Sequence, residues 1–258
     1  MQVMIISASR RSDIPAFFGE YFIKALKSKQ FKTVNPFNRK VKIIDFEYKD
    51  IDGIVFWTKN PKNFLKYIGT IKNMDIPFYF QFTLNNYPEY IEPELPDIYH
   101  RIDILKELYE NIYPRKIIWR YDPIILSEEF PSNFHKENFS FLIENLSPYI
   151  HHVTVSVLTL YRKIRKNFTN LITDRDKLGN LLKNLYDIAD YYGKKLDVCC
   201  FHNTENVPAA KCVDISLLNN KRKSKRDNGQ RKACNCDKSI DIGYYGTCKH
   251  KCLYCYAK

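Results

Sequence analysis

Residues 239–258 read SIDIGYYGTCKHKCLYCYAK and carry Cys248, Cys252 and Cys255 within eight positions. Ser239–Gly243 has the alternating apolar character of a strand, and the Tyr-Tyr-Gly that follows is a loop. The cysteines therefore fall at the C-terminal end of a strand. C-x3-C-x2-C supplies three thiolates from one tight loop, and such soft ligands suit an iron–sulfur cluster or zinc. Three protein ligands on a four-iron cluster leave one iron open, where a small molecule can coordinate.

Upstream, apolar runs with the same character recur. Strands are expected near Val3–Ser9, Gly53–Thr58, Pro77–Leu84, Lys116–Tyr121, His152–Leu158 and Lys195–Cys199, with an extra one at Val41–Phe46. Helical patterns lie between them. Ala16–Lys29 places Phe18, Phe22, Ala25 and Leu26 on one face. Pro61–Asn73 starts with proline where helices favour it. Asp97–Ile112, Ser132–Leu146 and Asp174–Tyr192 follow, the last closed by Gly193. Alternating strands and helices imply a parallel sheet covered by helices. Seven or eight such units point to an α/β fold of the (β/α) TIM-type barrel kind, complete or incomplete, in one domain over residues 1–258. Its cysteine-rich C-terminal segment spans 199–258. An open doubly wound sheet is the alternative. Asn219–Lys232, basic and without periodicity, is expected to be a surface loop.

The 258 residues are 45% hydrophobic, with 19 Tyr and 17 Phe, enough for a packed core. No apolar run approaches the ~18 residues that span a bilayer. The N-terminal stretch lacks the basic region and small-residue cleavage site of a signal peptide, so a cytoplasmic protein is expected. In that compartment eight cysteines are metal ligands or catalytic groups before they are disulfides. A formal charge of +12 invites a nucleic-acid partner, although abundant Lys and scarce Gly also fit a general compositional habit.

Barrels of this type keep their chemistry at the C-terminal ends of the strands. Here the strand ends are polar. The first ends in Ser7, Ser9, Arg10, Arg11 and Asp13, and the second in Thr58, Lys59 and Asn60. The third carries Gln81 and Thr83, the fourth Arg120 and Asp122, and the fifth Ser156. Arg10, Lys59, Arg120 and Asp122 would share one mouth, and buried charges need partners or a ligand. That mouth suits a carboxylate or phosphate. No phosphate-binding glycine loop, HExxH or GxSxG motif occurs. His151 and His152 open a strand and are expected at the surface.

Five cysteines remain. Cys234 and Cys236 precede the last strand, Cys199 and Cys200 end the one before it, and Cys212 follows. One of the Cys199–Cys200 pair, together with Cys212, Cys234 and Cys236, makes four thiolates. They suit a second 4Fe-4S cluster or a tetrahedral zinc site.

CKHKCLYC resembles the C-x3-C-x-Φ-C signature of radical S-adenosylmethionine (SAM) enzymes, with Tyr254 at the aromatic position. The whole chain resembles the family catalogued as domain of unknown function 1848. ISASRRSDIP, VFWTKNP, FQFTL, IEPELP, IWRYDPI and KSIDIGYYGTCKHKCLYCYA carry that likeness. In ordinary radical SAM enzymes the cysteine loop follows the first strand. Here it comes last, which implies a circular permutation with Ser239–Gly243 as first strand and Val3–Ser9 as second. FWTKNP and IEPELP resemble the branch that includes spore photoproduct lyase, a DNA repair enzyme.

The resemblance implies that Cys248, Cys252 and Cys255 ligate a 4Fe-4S cluster whose open iron binds SAM. Tyr254 would pack on the adenine, and Ser9, Thr58, Gln81 and Ser156 would line the cofactor site. Arg10, Lys59, Arg120 and Asp122 would hold SAM or substrate. A ferredoxin or flavodoxin would donate the electron. Cys199 matches the family pattern better than Cys200. A different class also accounts for the cysteines: a zinc- or iron–sulfur-stabilised nucleic-acid-binding or redox protein, using Cys234, Cys236, Cys252 and Cys255 as a four-thiolate site and Asn219–Lys232 against phosphates.

Overall fold

The computed structural model describes residues 3–35, 38–201, 207–218 and 224–258, so positions 219–223 of the basic run lie outside the described residues. Seven strands form one sheet: β1 (Ile5–Ala8), β4 (Gly53–Thr58), β5 (Phe78–Thr83), β6 (Ile117–Ile124), β7 (His152–Val157), β8 (Leu196–Val198) and β9 (Ile240–Asp241). β2 (Gln30–Val34) and β3 (Val41–Asp45) form a separate antiparallel pair. The helices are α1 (Ile14–Phe17), α2 (Gly19–Lys27), α3 (Ile68–Lys72), α4 (Ile98–Ile112), α5 (Ser132–Leu146) and α6 (Arg175–Tyr191).

The sheet order is β8-β7-β6-β5-β4-β1-β9, and every pairing in it is parallel. Starting at β9, the strands run in chain order across the sheet. The last strand lies beside the first, Ile6 opposite Ile240 and Ser7 opposite Asp241. A monotonic parallel order curls toward a barrel, but here β8 and β9 do not pair. Residues 208–215 bridge them instead. Val198 N–H donates to Pro208 O and Ala210 N–H to Val198 O; further on, Asp237 N–H donates to Val213 O, just before β9.

Strand alternation sorts the core into two layers. Ile6, Ile54, Phe56, Phe80, Trp119 and Val153 point outward beneath the helices, with Leu105, Phe139, Leu142 and Leu182 packed on them. Ile5, Val55, Tyr79 and Ile118 point inward and meet Val213 and Ile215 from the bridging segment and Leu218 from the 3-10 turn that follows it. The barrel floor is thus filled partly by chain that is neither strand nor barrel helix. Gly53 permits this: a Cβ there would lie 2.5 Å from Leu218.

Three local expectations change. The helix expected over Ala16–Lys29 breaks at Phe18 (φ −130°, ψ 24°) into α1 and α2. Gly19 then packs so closely that a Cβ would lie 2.9 Å from Phe64 and Tyr67. The Pro61–Asn73 helix is a 3-10 turn over Lys62–Tyr67 that becomes α3. The extra strand at Val41–Phe46 forms, but it pairs with Gln30–Val34, which carried no strand signal. Among the described residues no helix is long and apolar enough to cross a membrane.

Candidate functional site

The C-terminal ends of β1, β4, β6, β7, β8 and β9 surround a cleft of about 910 Å³, within the size range of small-molecule sites. Ser9, Arg10, Thr58, Lys59, Arg120, Asp122, Ser156, Tyr254 and all eight cysteines line it, the cysteines in two groups. Gln81 stands behind the wall, 1% exposed.

The first group is the cysteine loop. Gly246, in the left-handed region at φ +74°, donates its N–H to Ala257 O at 2.7 Å and closes the loop at its base. Cys252 is buried, while Cys248 and Cys255 are half-buried toward the cleft. Two carboxylates anchor the loop. Asp13 Oδ2 meets His250 Nε2 at 2.9 Å and accepts from Lys59 N–H at 2.7 Å; Asp13 Oδ1 caps α1 through Ala16 N–H. Glu92 accepts from Lys59 Nζ and Arg101 Nη1, both at 3.0 Å, and from the Tyr254 hydroxyl. Lys59 Nζ also lies 2.6 Å from that hydroxyl and 5.1 Å from the Tyr254 ring centroid. Lys59 and Tyr254 thus lock the loop to β4. Burial opposes the charge on Glu92, but Lys59 and Arg101 outweigh it and bring its pKa down to about 2.

The second group is a ring of five thiols. Cys199, Cys212, Cys236, Cys234 and Cys200 neighbour one another in turn, each close enough to shift the next thiol's ionisation. Cys199 and Cys200 sulfurs lie 3.6 Å apart and close the ring. The five come from three segments: the end of β8, the bridging segment and the approach to β9. Arg120 donates from Nη1 to Cys212 Sγ at 3.1 Å and to Gln81 Oε1 at 3.2 Å; its Nη2 reaches Asp122 Oδ2 at 2.6 Å. Arg231 donates to Cys199 Sγ at 3.8 Å. Gln81 and Tyr79 both donate to Cys212 O at 2.7 Å.

A third arrangement centres on Asp241 of β9. It accepts from Ser7 Oγ at 3.0 Å, from Ser9 Oγ and from Arg10 N–H at 2.9 Å. Gly243 must be glycine at this join, because a Cβ would lie 2.0 Å from Ser9 Oγ. The guanidinium of Arg10 lies 3.7 Å from Asp241 and 3.6 Å from Asp227. Arg10 and Arg120 both approach the Trp57 ring, at 5.9 and 5.2 Å from its centroid. Thr58 Oγ1 accepts from Asn60 N–H, and Ser156 is buried in the wall.

The family described as a domain of unknown function (DUF1848) matches residues 5–257. The chain belongs to this family. No curated protein matches at a significant level. Among solved structures, a provisionally assigned α-L-fucosidase of Bacteroides thetaiotaomicron is 10% identical over 67% of this chain and 74% of its own, with a TM-score of 0.32. A xylose isomerase-like TIM barrel/4-hydroxyphenylpyruvate dioxygenase fusion protein is 9% identical over 77% and 27%, TM-score 0.36. The tandem GH20 modules of pneumococcal exo-β-D-N-acetylglucosaminidase StrH are 10% identical over 82% and 58%, TM-score 0.32. The chain spans only about a quarter of the fusion protein.

In this DUF1848 chain the two cysteine groups differ as ligands. The loop presents three thiols on one side of the cleft. Among the described residues, no three His, Cys, Asp or Glu side chains converge on one point as ligands of a single ion would. Burial pushes the Cys252 thiol up to about 12, and contact with Cys200 pushes Cys199 up to about 12. Within the Cys234–Cys236 pair, Cys234 ionises first because Cys200 and Cys236 both donate to it. Bound metal would hold the others as thiolates. Burial opposes the charge on Arg120, but Cys212, Asp122 and Cys199 hold its pKa well above the ordinary value.

Asp13, Glu92 and Asp241 were not singled out from sequence as site residues beyond Asp13's place at a strand end. A signal for Asp241 exists: it stands between Ile240 and Ile242 in a strand, where the pleat forces it toward the cleft.

Proposed function

We propose that this chain is a radical SAM-like iron–sulfur enzyme acting on a substrate held in the cleft. One observation carries the reading: the C-x3-C-x2-C loop leaves β9, the edge strand that pairs in parallel with β1, and faces the polar strand ends across one cleft. A 4Fe-4S cluster on Cys248, Cys252 and Cys255 would supply one-electron reductive cleavage of SAM and so a 5′-deoxyadenosyl radical, with a ferredoxin or flavodoxin as electron source.

The chain's own residues do the positioning. Asp13 and Glu92 fix the loop from opposite sides through His250 and Tyr254. Asp241 organises Ser9 and Arg10 at the neighbouring strand end. Asp122 keeps part of its side chain open to the cleft, 27% exposed. The outer lip carries Arg162, Lys163 and Arg231, beside the Tyr161 and Tyr256 rings with centroids 5.0 Å apart. Cations beside exposed rings favour an anionic substrate, and a nucleic-acid strand would use both features.

Anaerobic, reduced protein incubated with SAM tests the reading. Wild type should release 5′-deoxyadenosine, and the triple variant Cys248→Ala, Cys252→Ala, Cys255→Ala should release none. Brown protein that makes no 5′-deoxyadenosine with a strong reductant and candidate substrates moves the assignment to a redox protein. Colourless, zinc-containing protein moves it to the zinc-stabilised binding module.

A further inference from the structure

We infer that the five-thiol ring is a second metal centre, a 4Fe-4S cluster held by Cys199, Cys212, Cys234 and Cys236, with Arg120 and Arg231 donating to its ligand sulfurs. Cys200 is the thiol left over. The inference stands apart from the function of the Cys248–Cys255 loop, since it rests on other residues.

Burial and strand phase select the four. Cys199 is 8% exposed, Cys212 3%, Cys234 5% and Cys236 3%, whereas Cys200 is half-buried. Cys199 continues the inward face of β8 from Asp197, and its N–H still donates to Val155 O at 2.8 Å. The ladder therefore fixes where its sulfur points. Cys200 follows with φ 55°, a left-handed turn that carries the chain off the strand. Cys236 is fixed in its turn by Val213 N–H, which donates to its sulfur at 3.4 Å.

Charge supports the site. Buried thiolates need compensating cations or donors. Arg120, 5% exposed, could satisfy itself with Asp122 and Gln81 alone. Its Nη1, besides donating to Gln81, also donates to Cys212 Sγ, and Arg231 donates to Cys199 Sγ. Donors to cluster sulfurs stabilise the reduced, more negative state and raise the potential. This gives Arg120 a positioning and tuning role toward the ring. Four thiolates also make a tetrahedral zinc site, and the metal and sulfide counts below separate the two.

The test uses full-length protein purified without oxygen, with iron, zinc and acid-labile sulfide counted per chain. Wild type should carry about eight irons and the triple variant at Cys248, Cys252 and Cys255 about four, with one reducible cluster signal. In that triple background, Cys199→Ser should lose the remaining iron and Cys200→Ser should keep it. Arg120→Gln should keep the iron while the midpoint of the remaining signal moves to lower potential. Should Cys199→Ser fail to fold, the triple variant's iron and the Arg120→Gln titration still decide. A triple variant holding zinc in place of iron, or no metal, overturns the inference. So does iron loss from Cys200→Ser equal to that from Cys199→Ser, or an unmoved midpoint in Arg120→Gln. Formation of 5′-deoxyadenosine by wild type is read separately, so either proposal can fail alone.

Discussion

The cysteine loop and the thiol ring share a cleft but are assembled in opposite ways. The loop gathers Cys248, Cys252 and Cys255 within one short segment closed on itself by Gly246 and Ala257. Its thiols lie close together before the barrel forms. The ring draws Cys199, Cys200, Cys212, Cys234 and Cys236 from three segments, and they meet only once β8, the bridging segment and the approach to β9 are in place. Bringing distant segments together costs loop-closure entropy that a local motif does not incur. Metal bound at the ring would therefore be coupled to folding, while metal bound at the loop would be coupled mainly to chemistry.

The sharpest way to break this contrast is thermal. Cys212→Ala or Cys236→Ala should lower the melting temperature by about 10 °C or more, since the binding energy of a fully ligated site is folding energy. Cys252→Ala should remove iron from the loop with a far smaller shift. Calorimetry under anaerobic conditions that finds both variants as stable as wild type would end the distinction.

Next in size is the Glu92 anchor of the loop. Its pKa falls to about 2 although it is buried, because Lys59 and Arg101 flank it. A carboxyl depressed in the folded state stabilises above its unfolded pKa, and that stability is lost as pH falls toward the folded value. Denaturation of wild type between about pH 4.5 and 2 should show a loss on the order of 3 kcal/mol from this group. Glu92→Gln should be less stable at pH 7 by about 3–5 kcal/mol and should lack that part of the acid slope. A wild-type slope in Glu92→Gln would show that the anchor does not act through charge.

The smallest effect sits under the ring. Gly53→Ala pushes a Cβ to 2.5 Å from Leu218, a side-chain end that can move. It should cost about 1–2 kcal/mol in chemical denaturation. The double variant with Leu218→Ala should not show the sum of the two costs, because the clash is gone. Additive losses would mean that the floor does not press on β4.

Much of the barrel was legible because period-2 runs such as Gly53–Thr58 and 3.6-period runs such as Ser132–Leu146 stand out. β2 was not, since Gln30–Val34 buries only Phe31 fully and takes its strand form from pairing with β3. The break at Phe18 was hidden because Phe18 and Phe22 keep helical spacing across it. At the site, polar strand ends pointed to the cleft, yet not to which partners would occupy them. Glu92 lies on a loop without periodicity, and only the fold shows it beneath Tyr254. The choice between Cys199 and Cys200 was in reach, because counting by twos from Leu196 and Asp197 places Cys199 inward.

The gap between β8 and β9 has a consequence for handling the protein. Both are edge strands, and residues 208–215, pinned through Cys212 and Asp237, are what cover it. An edge stripped of its cover exposes unpaired N–H and C=O groups that recruit strands from other molecules. Air-exposed samples that lose the ring should therefore self-associate, and light scattering should rise before the far-ultraviolet helix signal falls.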